Sequence, residues 1–423
     1  MTLIFVNRFF HPDYSATSQM ASGMAFGLAA EGRRVTVITS RLRYDDPHAR
    51  LPARENVGGV EIVRVPTSRF GRGGMATRAI DYLTFYGSAS WALWRLARKG
   101  DVVIVKTDPP MLSLVANLAV RLRGAVLVNW LQDLFPEVAT DLGLARGPIS
   151  RAALGVLRGL RNRSLRSARV NVAIGERMAE RLRALGLPPE RIRVIPNWAD
   201  GAVLTSVPHT TNPAREAAWA HGNAFVVGYS GNLGRAHDYQ TMLDAMTLIG
   251  EQLAPAGDAS TIAWVFVGGG AHYEKLRHAV AARRIAPAYF EPYRPPDQLA
   301  DSLSAIDVHL VSLHPALEGL VVPSKTYGIA AVGRPILFIG DPDGEIARFI
   351  DQARCGMTVM PGDAAALARI ITDLSRDHER CAEMGRNARA AFEKGFDKPI
   401  ALAAWQGLLA ELVDRPLETS RSR

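Results

Sequence analysis

The sequence predicts an α/β protein built from two doubly wound parallel domains facing each other across a cleft. Three observations lead there. Short apolar runs of strand length alternate with longer helical stretches up to about residue 195. The alternation breaks in a Pro-, Thr- and Asn-rich segment at about 205–223, the composition of a linker, and then resumes. The 423 residues, 48% hydrophobic and 22% charged, suffice for two domains with separate cores. The expected division is an N-terminal domain over 1–200 and a C-terminal domain over 201–395. A last helix and tail over 396–423 should pack back on the N-terminal domain.

In the first half, strands are expected at 3–6, 35–39, 60–65, 102–105, 126–130, 170–173 and 193–195. Each is an apolar, β-branched run bounded by polar or glycine-containing turns. Helices fall between them, at 17–30, 77–98, 110–122, 149–167 and 175–186. In the second half, strands are expected at 225–229, 263–267, 288–290, 308–311, 335–338 and 356–359. Helices follow at 238–251, 273–283, 296–304, 324–332, 344–352 and 363–374. Two more helices, 378–392 and 398–413, precede a charged tail expected to be disordered. Repeated strand–helix order means parallel sheets, whose ligands bind at the carboxyl ends of the strands.

Charge is unevenly placed. Residues 1–199 hold 29 Lys+Arg and 15 Asp+Glu, a net +14, and residues 200–423 net −5, for +9 overall. Such asymmetry suits an anionic partner: nucleic acid, an anionic membrane surface or a phosphorylated lipid. The alternative is a genome-wide arginine bias, which leaves the difference between halves unexplained. Two cysteines, Cys355 and Cys381, give neither a disulfide framework nor metal spacing and fit a reducing compartment. The N-terminus reads as a first strand rather than a signal peptide. No apolar run reaches the ~18 residues of a spanning helix.

The strand Phe225–Tyr229 runs into Ser230-Gly231-Asn232-Leu233-Gly234-Arg235, a glycine turn ahead of a helix. Its free N–H groups can face a phosphate, and Arg235 can add charge; a plain tight βα turn is the alternative. Pro323-Ser324-Lys325-Thr326-Tyr327 opens a second helix. Its start suits an anion, with Lys325 supplying a full charge, unless Ser324 merely caps and Lys325 is solvated. Val267-Gly268-Gly269-Gly270 ends another strand and could border a base or ribose. It lacks the glycine pattern and the following acid of a nicotinamide site, which excludes a simple dehydrogenase. Asp341-Pro342-Asp343 looks like a metal motif but reads as a turn, so no metal site is expected. Glu345 follows it at a helix start, where a sugar hydroxyl could be met or where the helix dipole alone favours it.

In the first half Asp133, within Gln132-Asp133-Leu134-Phe135-Pro136-Glu137, lies just past a buried strand and aims at the cleft, or caps a helix. Lys106-Thr107-Asp108 follows another strand in the same way. His11-Pro12-Asp13-Tyr14-Ser15 forms the first βα loop. Helices over 77–98 and 149–167 mix aromatic or apolar residues with arginines, which fits a membrane interface or ordinary domain packing. No nucleophile elbow, zinc-type histidine pair or Walker A loop is present.

These landmarks, with Ile195-Pro196-Asn197-Trp198 and Gly333-Arg334-Pro335, resemble the GT-B glycosyltransferases. The likeness is to the large retaining nucleotide-sugar family, and within it to enzymes of capsule, O-antigen and colanic-acid assembly. It implies two Rossmann-like domains and metal-independent transfer from a nucleoside-diphosphate sugar, UDP being the expected nucleotide. Lys325, Arg235 and the turn Gly231, Asn232 and Gly234 would hold the diphosphate. Gly268, Gly269, Tyr293 and Arg294 would border the base and ribose. Ser324, Tyr327 and Glu345 would complete the donor site, and Asp133 would touch the acceptor or the reacting sugar. No cofactor beyond the donor and no nucleic-acid partner is implied. The acceptor would be a polyprenyl-diphosphate-linked glycan, placing the protein in the cytoplasm, peripheral on the inner membrane face.

The sequence departs from that pattern in three places. Gly328 stands where a ribose-gripping glutamate is usual, Asn232 where an arginine is usual, and Ser15 where the first loop has a glycine. A nucleotide-sugar 2-epimerase of the same fold, or a non-catalytic nucleotide-sugar-binding partner subunit, would account for the same motifs.

Overall fold

The computed structural model describes residues 1–414 except 45, 47, 71–74, 144–146, 216–223 and 254–261. The expected disordered tail beyond residue 414 and the latter part of the expected linker lie outside the described residues. The chain forms two compact units, Met1–Pro196 with Pro399–Arg423, and Asn197–Lys398.

The first unit runs β1 (Leu3–Val6), α1 (Ala16–Ala30), β2 (Val35–Ser40), β3 (Arg54–Val57), β4 (Val60–Val65), α2 (Met75–Leu96) and β5 (Val102–Lys106). It continues α3 (Leu112–Arg123), β6 (Val126–Trp130), α4 (Glu137–Asp141), α5 (Pro148–Ser167), β7 (Val170–Ala173), α6 (Glu176–Ala184) and β8 (Ile192–Val194). The eight strands lie in the order β3-β4-β2-β1-β5-β6-β7-β8. All pair in parallel except β3, which is antiparallel to β4. The central strands are buried along their whole length, which is why they read as unbroken apolar runs. One face is covered by the α2 stripe Phe85, Ala89, Leu93 and Ala97, spaced four apart and packed with Val103 and Val105.

The second unit runs β9 (Phe225–Asn232), α7 (Gln240–Leu253), β10 (Ile262–Gly269), α8 (Tyr273–Ala282), β11 (Ala288–Glu291), α9 (Leu299–Ser304) and β12 (Val308–Ser312). It ends with α10 (Lys325–Ala331), β13 (Ile336–Ile339), α11 (Glu345–Ala353), β14 (Gly356–Val359), α12 (Ala364–Arg376) and α13 (His378–Gly395). Its six strands are all parallel, in the order β11-β10-β9-β12-β13-β14. Asp363 and Asp377 cap α12 and α13, each carboxylate accepting from a backbone N–H three residues on.

Three features differ from the sequence-based expectation. Strand β3 was not anticipated: it is a polar edge strand, paired to β4 through Gly58-Gly59, both at positive φ (54° and 81°). Helix α4, five residues long, lies outside the helix ranges expected from sequence. The described part of the expected linker is anchored rather than loose. Asn212 donates to the Asp301 carbonyl, Arg215 pairs with Asp307 at 2.9 Å, and Val207 N donates to Ser304 Oγ. Polar side chains that suggested a linker there satisfy backbone groups of the second unit instead.

The last helix, α14 (Lys398–Asp414), belongs to the first unit. Trp405 is fully buried on it and meets the Trp130 ring at 4.9 Å, while Arg193 and Glu411 pair at 2.9 Å. Trp405→Ala is expected to cost about 3–5 kcal/mol of unfolding free energy, read by urea denaturation, because that cavity cannot fill with other side chains. A loss below about 1 kcal/mol would mean that α14 contributes little to this core.

Candidate active site

In the second unit two glycine turns meet at the carboxyl ends of β9 and β10, where Gly231 pairs with Gly268 and Asn232 with Gly269. Gly231 (φ 123°), Gly268 (φ 135°) and Gly270 (φ 123°) adopt conformations that side chains rarely take. The reasons differ. A Cβ on Gly268 would stand 2.2 Å from the Gly231 carbonyl oxygen, and one on Gly270 would stand 2.4 Å from Asn232 Oδ1. These two glycines let one turn pack on the other. A Cβ on Gly231 would meet only the Lys325 side chain, at 3.7 Å, so this turn stays open toward the lysine. Leu233 N donates to the Gly269 carbonyl and His272 N to the Leu233 carbonyl, fixing the pair of turns. Asn232 and Arg235 are exposed.

Lys325 is the first residue of α10 and reaches across to β9. Its ammonium donates to the Tyr229 hydroxyl and sits 3.6 Å from that ring's centroid. Tyr229 is buried and its hydroxyl donates a hydrogen bond to the Asn232 carbonyl at 3.0 Å. Burial alone pushes the Lys325 pKa well below the ordinary lysine value, with no acid contributing. Next to it His237 is held down to about 3, first by burial and then by the Lys325 charge. Its Nδ1 faces the Ser312 carbonyl, so the neutral ring carries its proton there. The site thus sets a desolvated lysine against a glycine backbone, with no acid acting on it among the described residues. Tyr229 was missed from sequence because nothing distinguishes it from any other core aromatic in a strand.

The remaining candidates divide. Tyr293 is exposed, its ring lying against the backbone of Gly268 and Gly269. Arg294 pairs with Glu291 at 3.3 Å. Beside them is an open cavity of about 350 Å³ lined by Gly268–Gly270, Tyr273, Glu274, Arg277, Phe290, Glu291 and Pro292. Ser324 occupies the N-cap of α10 without a capping hydrogen bond. Tyr327 is buried and stacks on Phe396 at 5.0 Å, with Glu345 as the charge that acts on it. Glu345 opens α11, and its backbone N–H donates to the buried Glu318 carboxylate at 2.8 Å. Glu318 is therefore an acid that caps α11 from outside the helix. A Cβ on Gly328 would stand 3.5 Å from Leu303 and 3.6 Å from Leu204, so a side chain here would start against apolar neighbours. Asp341 accepts from the Asp343 N–H and Asp343 pairs with Arg348, the capped turn that was expected. Among the described residues no group of three or more His, Cys, Asp or Glu is placed to hold a metal ion.

In the first unit, acids and bases gather at the carboxyl ends of β1, β5 and β6. Asp133 contacts the Thr107 hydroxyl and keeps Oδ1 buried without a partner; burial raises its pKa to about 6. It does not cap α4, whose N-cap is Pro136. Asp108 accepts from the Thr17 hydroxyl at 3.1 Å and is likewise raised by burial. Lys106 is fully buried, 3.7 Å from the Trp130 ring centroid, its Nζ unpaired and its pKa well below the ordinary value. Arg8 pairs with buried Asp81 at 3.6 Å and lies over Tyr82, which feels Asp108 first among charges. Ser15 caps α1 through the Ser18 N–H, giving the serine in the first loop a structural role. Arg8 and Asp81 were not singled out from sequence, because their pairing links elements far apart in the chain.

Two tests follow from this geometry. Asp133 holds its proton more tightly folded (about 6) than unfolded (about 4), so stability falls as pH rises from about 4 through 6. Asp133→Asn should remove that fall, and urea unfolding at pH 5 and pH 7.5 checks it. An identical pH dependence in both proteins would assign the titration elsewhere. Gly268→Ala should destabilise by more than about 1 kcal/mol, since both φ and space forbid the methyl.

Two family models match the chain. Residues 16–198 match the glycosyl transferase 4-like domain and residues 213–391 the glycosyl transferases group 1. The chain is 29% identical over 318 residues to the probable glycosyltransferase WbjE of Pseudomonas aeruginosa, covering 75% of this chain and 76% of that protein. It is 24% identical over 337 residues to the putative colanic acid biosynthesis glycosyl transferase WcaI of Escherichia coli, covering 77% and 79%. Among solved structures, sucrose-phosphate synthase of Thermosynechococcus elongatus superposes with a TM-score of 0.75 at 15% identity, covering 98% and 99% of the two chains. HepE of Anabaena, solved with UDP and glucose, gives 0.70 at 15% identity, covering 96% and 99%. With both units matched and both sheets of the Rossmann-like kind, the chain belongs to the group 1 glycosyltransferases of GT-B fold.

Proposed function

We propose that this glycosyltransferase moves a sugar from a UDP-sugar, with retention and without a metal ion, to a polyprenyl-diphosphate-linked glycan during surface-polysaccharide assembly. The observation that carries this reading is Lys325, a desolvated ammonium seated at the open Gly231 turn with no acid to neutralise it. A diphosphate supplies the missing charge. As the bond from the anomeric carbon to the diphosphate breaks, negative charge grows on the leaving oxygen; Lys325, Arg235 and the turn N–H groups stabilise it in place of a metal. The base and ribose fit beside Gly268, Gly269, Tyr293 and Arg294, along the 350 Å³ cavity. Asp133, with one oxygen unpaired, is suited to receive a hydroxyl of the acceptor or the reacting sugar. Support for the nucleotide comes from HepE, solved with UDP-glucose, and for the pathway class from the colanic-acid relative WcaI. Front-face attack or a short-lived ion pair needs no protein nucleophile. The proposed place of action is the inner membrane face; no helix among the described residues is long and apolar enough to cross a membrane.

Lys325→Met should weaken UDP binding about 10–100-fold, the range for a lost charge-assisted hydrogen bond, measured by titration calorimetry. Unchanged affinity would remove Lys325 from the site. Because burial depresses its pKa and a bound diphosphate raises it, UDP binding should take up a proton above neutral pH. Affinity should then fall as pH rises from 7 to 9, with a buffer-dependent binding heat that the methionine variant lacks. A new sugar nucleotide formed from UDP-sugar without any acceptor would replace transfer with epimerisation.

A further inference from the structure

Helices α2, α3 and α5 form one layer. The crossovers β4 to β5, β5 to β6 and β6 to β7 all advance in the same direction across the sheet, so right-handed connections put these helices on one face. They touch in series, α2 on α3 and α3 on α5, with Ser113 and Ser164 hydrogen-bonded between the last two. Their inward stripes are ordinary core. Their outward stripes are not ordinary surface.

On α2 the side opposite the buried Phe85–Leu93 stripe presents Ile80, Leu83, Trp91 and Trp94 to solvent, Trp91 being 59% exposed and stacked on Trp94 at 5.1 Å. On α3, Leu118 and Leu122 are 66% and 67% exposed, and on α5 Val156 and Leu160 are exposed as well. Exposed apolar side chains are unremarkable singly but not when three adjacent helices share them. Between them stand the exposed Arg95, Arg98, Arg121, Arg158 and Arg163. The whole layer contains one acid, Asp81, and that one is buried against Arg8. Neighbouring α6 shows that arginine richness alone does not produce this. There Arg177 and Arg183 pair with Glu180 and Glu176, as on a normal solvated helix.

We propose that the α2–α3–α5 layer is a docking face for a bilayer surface carrying anionic lipids. Indole and leucine side chains would enter the headgroup boundary while arginines meet lipid phosphates. Charge decides against the other occupants. A second copy of this face would set arginines on arginines, and a nucleic acid would leave Ile80, Leu83, Leu118, Leu122 and Val156 without apolar partners. The purpose assigned to this face rests on the proposed lipid-linked acceptor; its test does not.

The full chain is floated with vesicles of phosphatidylcholine alone, or with phosphatidylglycerol added, at low and high salt. The expected result is partitioning onto the anionic vesicles only, weakened by salt, with a blue shift of tryptophan emission. Trp91→Ser with Trp94→Ser should abolish the shift and cut partitioning at least tenfold without changing net charge. Arg95→Glu with Arg98→Glu should cut it about fivefold or more per residue. UDP affinity serves as the folding control for each variant, so loss of docking is separable from loss of the donor site. Absence of partitioning at low salt overturns the proposal, as does equal partitioning of all three proteins. So does a sedimenting dimer that the tryptophan variant dissolves while vesicles leave the wild type unbound.

Discussion

Burial of charge without a counter-charge is the constraint on which the rest of this molecule turns. Water stabilises an exposed ammonium or carboxylate far better than a protein interior does, so each one kept inside costs free energy unless something arrives to match it. Lys325 over Tyr229 is held this way; Lys106 over Trp130 has only the equally buried Asp108 to offset it, and Asp133 keeps one oxygen without a partner. All three sit at or just past the carboxyl ends of parallel strands. The fold makes this possible because its central strands are apolar on both faces and deliver whatever follows them to a partly dry rim. The second unit places Lys325 and turn N–H groups there; the first places Asp108, Asp133 and Lys106 near Arg8.

The glycines show how backbone geometry serves this arrangement. Gly268 and Gly270 exist so that the end of β10 can lie against the end of β9; their freedom is used on protein. Gly231 is the one that leaves room for Lys325. A motif of glycines after strands therefore mixes two jobs, and only coordinates separate them.

Much of this was legible beforehand. Both sheets could be read because fully buried strands are unbroken apolar runs with glycine or polar stops. Strand β3 could not, since an edge strand with half its residues in water carries no hydrophobic period. The Gly231 turn and Asp133 stood out by residue type after a strand, and Lys325 by its place at a helix start. Tyr327 stood out as an aromatic beside a charged motif, but its stacking on Phe396 could not be read from sequence. A motif position such as 328 does not reveal that it turns toward Leu303 and Leu204 on a short helix. Glu318 capping α11, and Arg8 meeting Asp81, depend on tertiary proximity and leave no local trace.

The last helix has a further consequence. Trp405 closes over Trp130, yet the chain between them includes the whole second unit. A ribosome making this protein therefore synthesises the whole second unit before the helix that seals the core of the first. Until α14 emerges, the indole of Trp130 above Lys106 stays uncovered, and the nascent first lobe offers an apolar surface to any chaperone that waits for one.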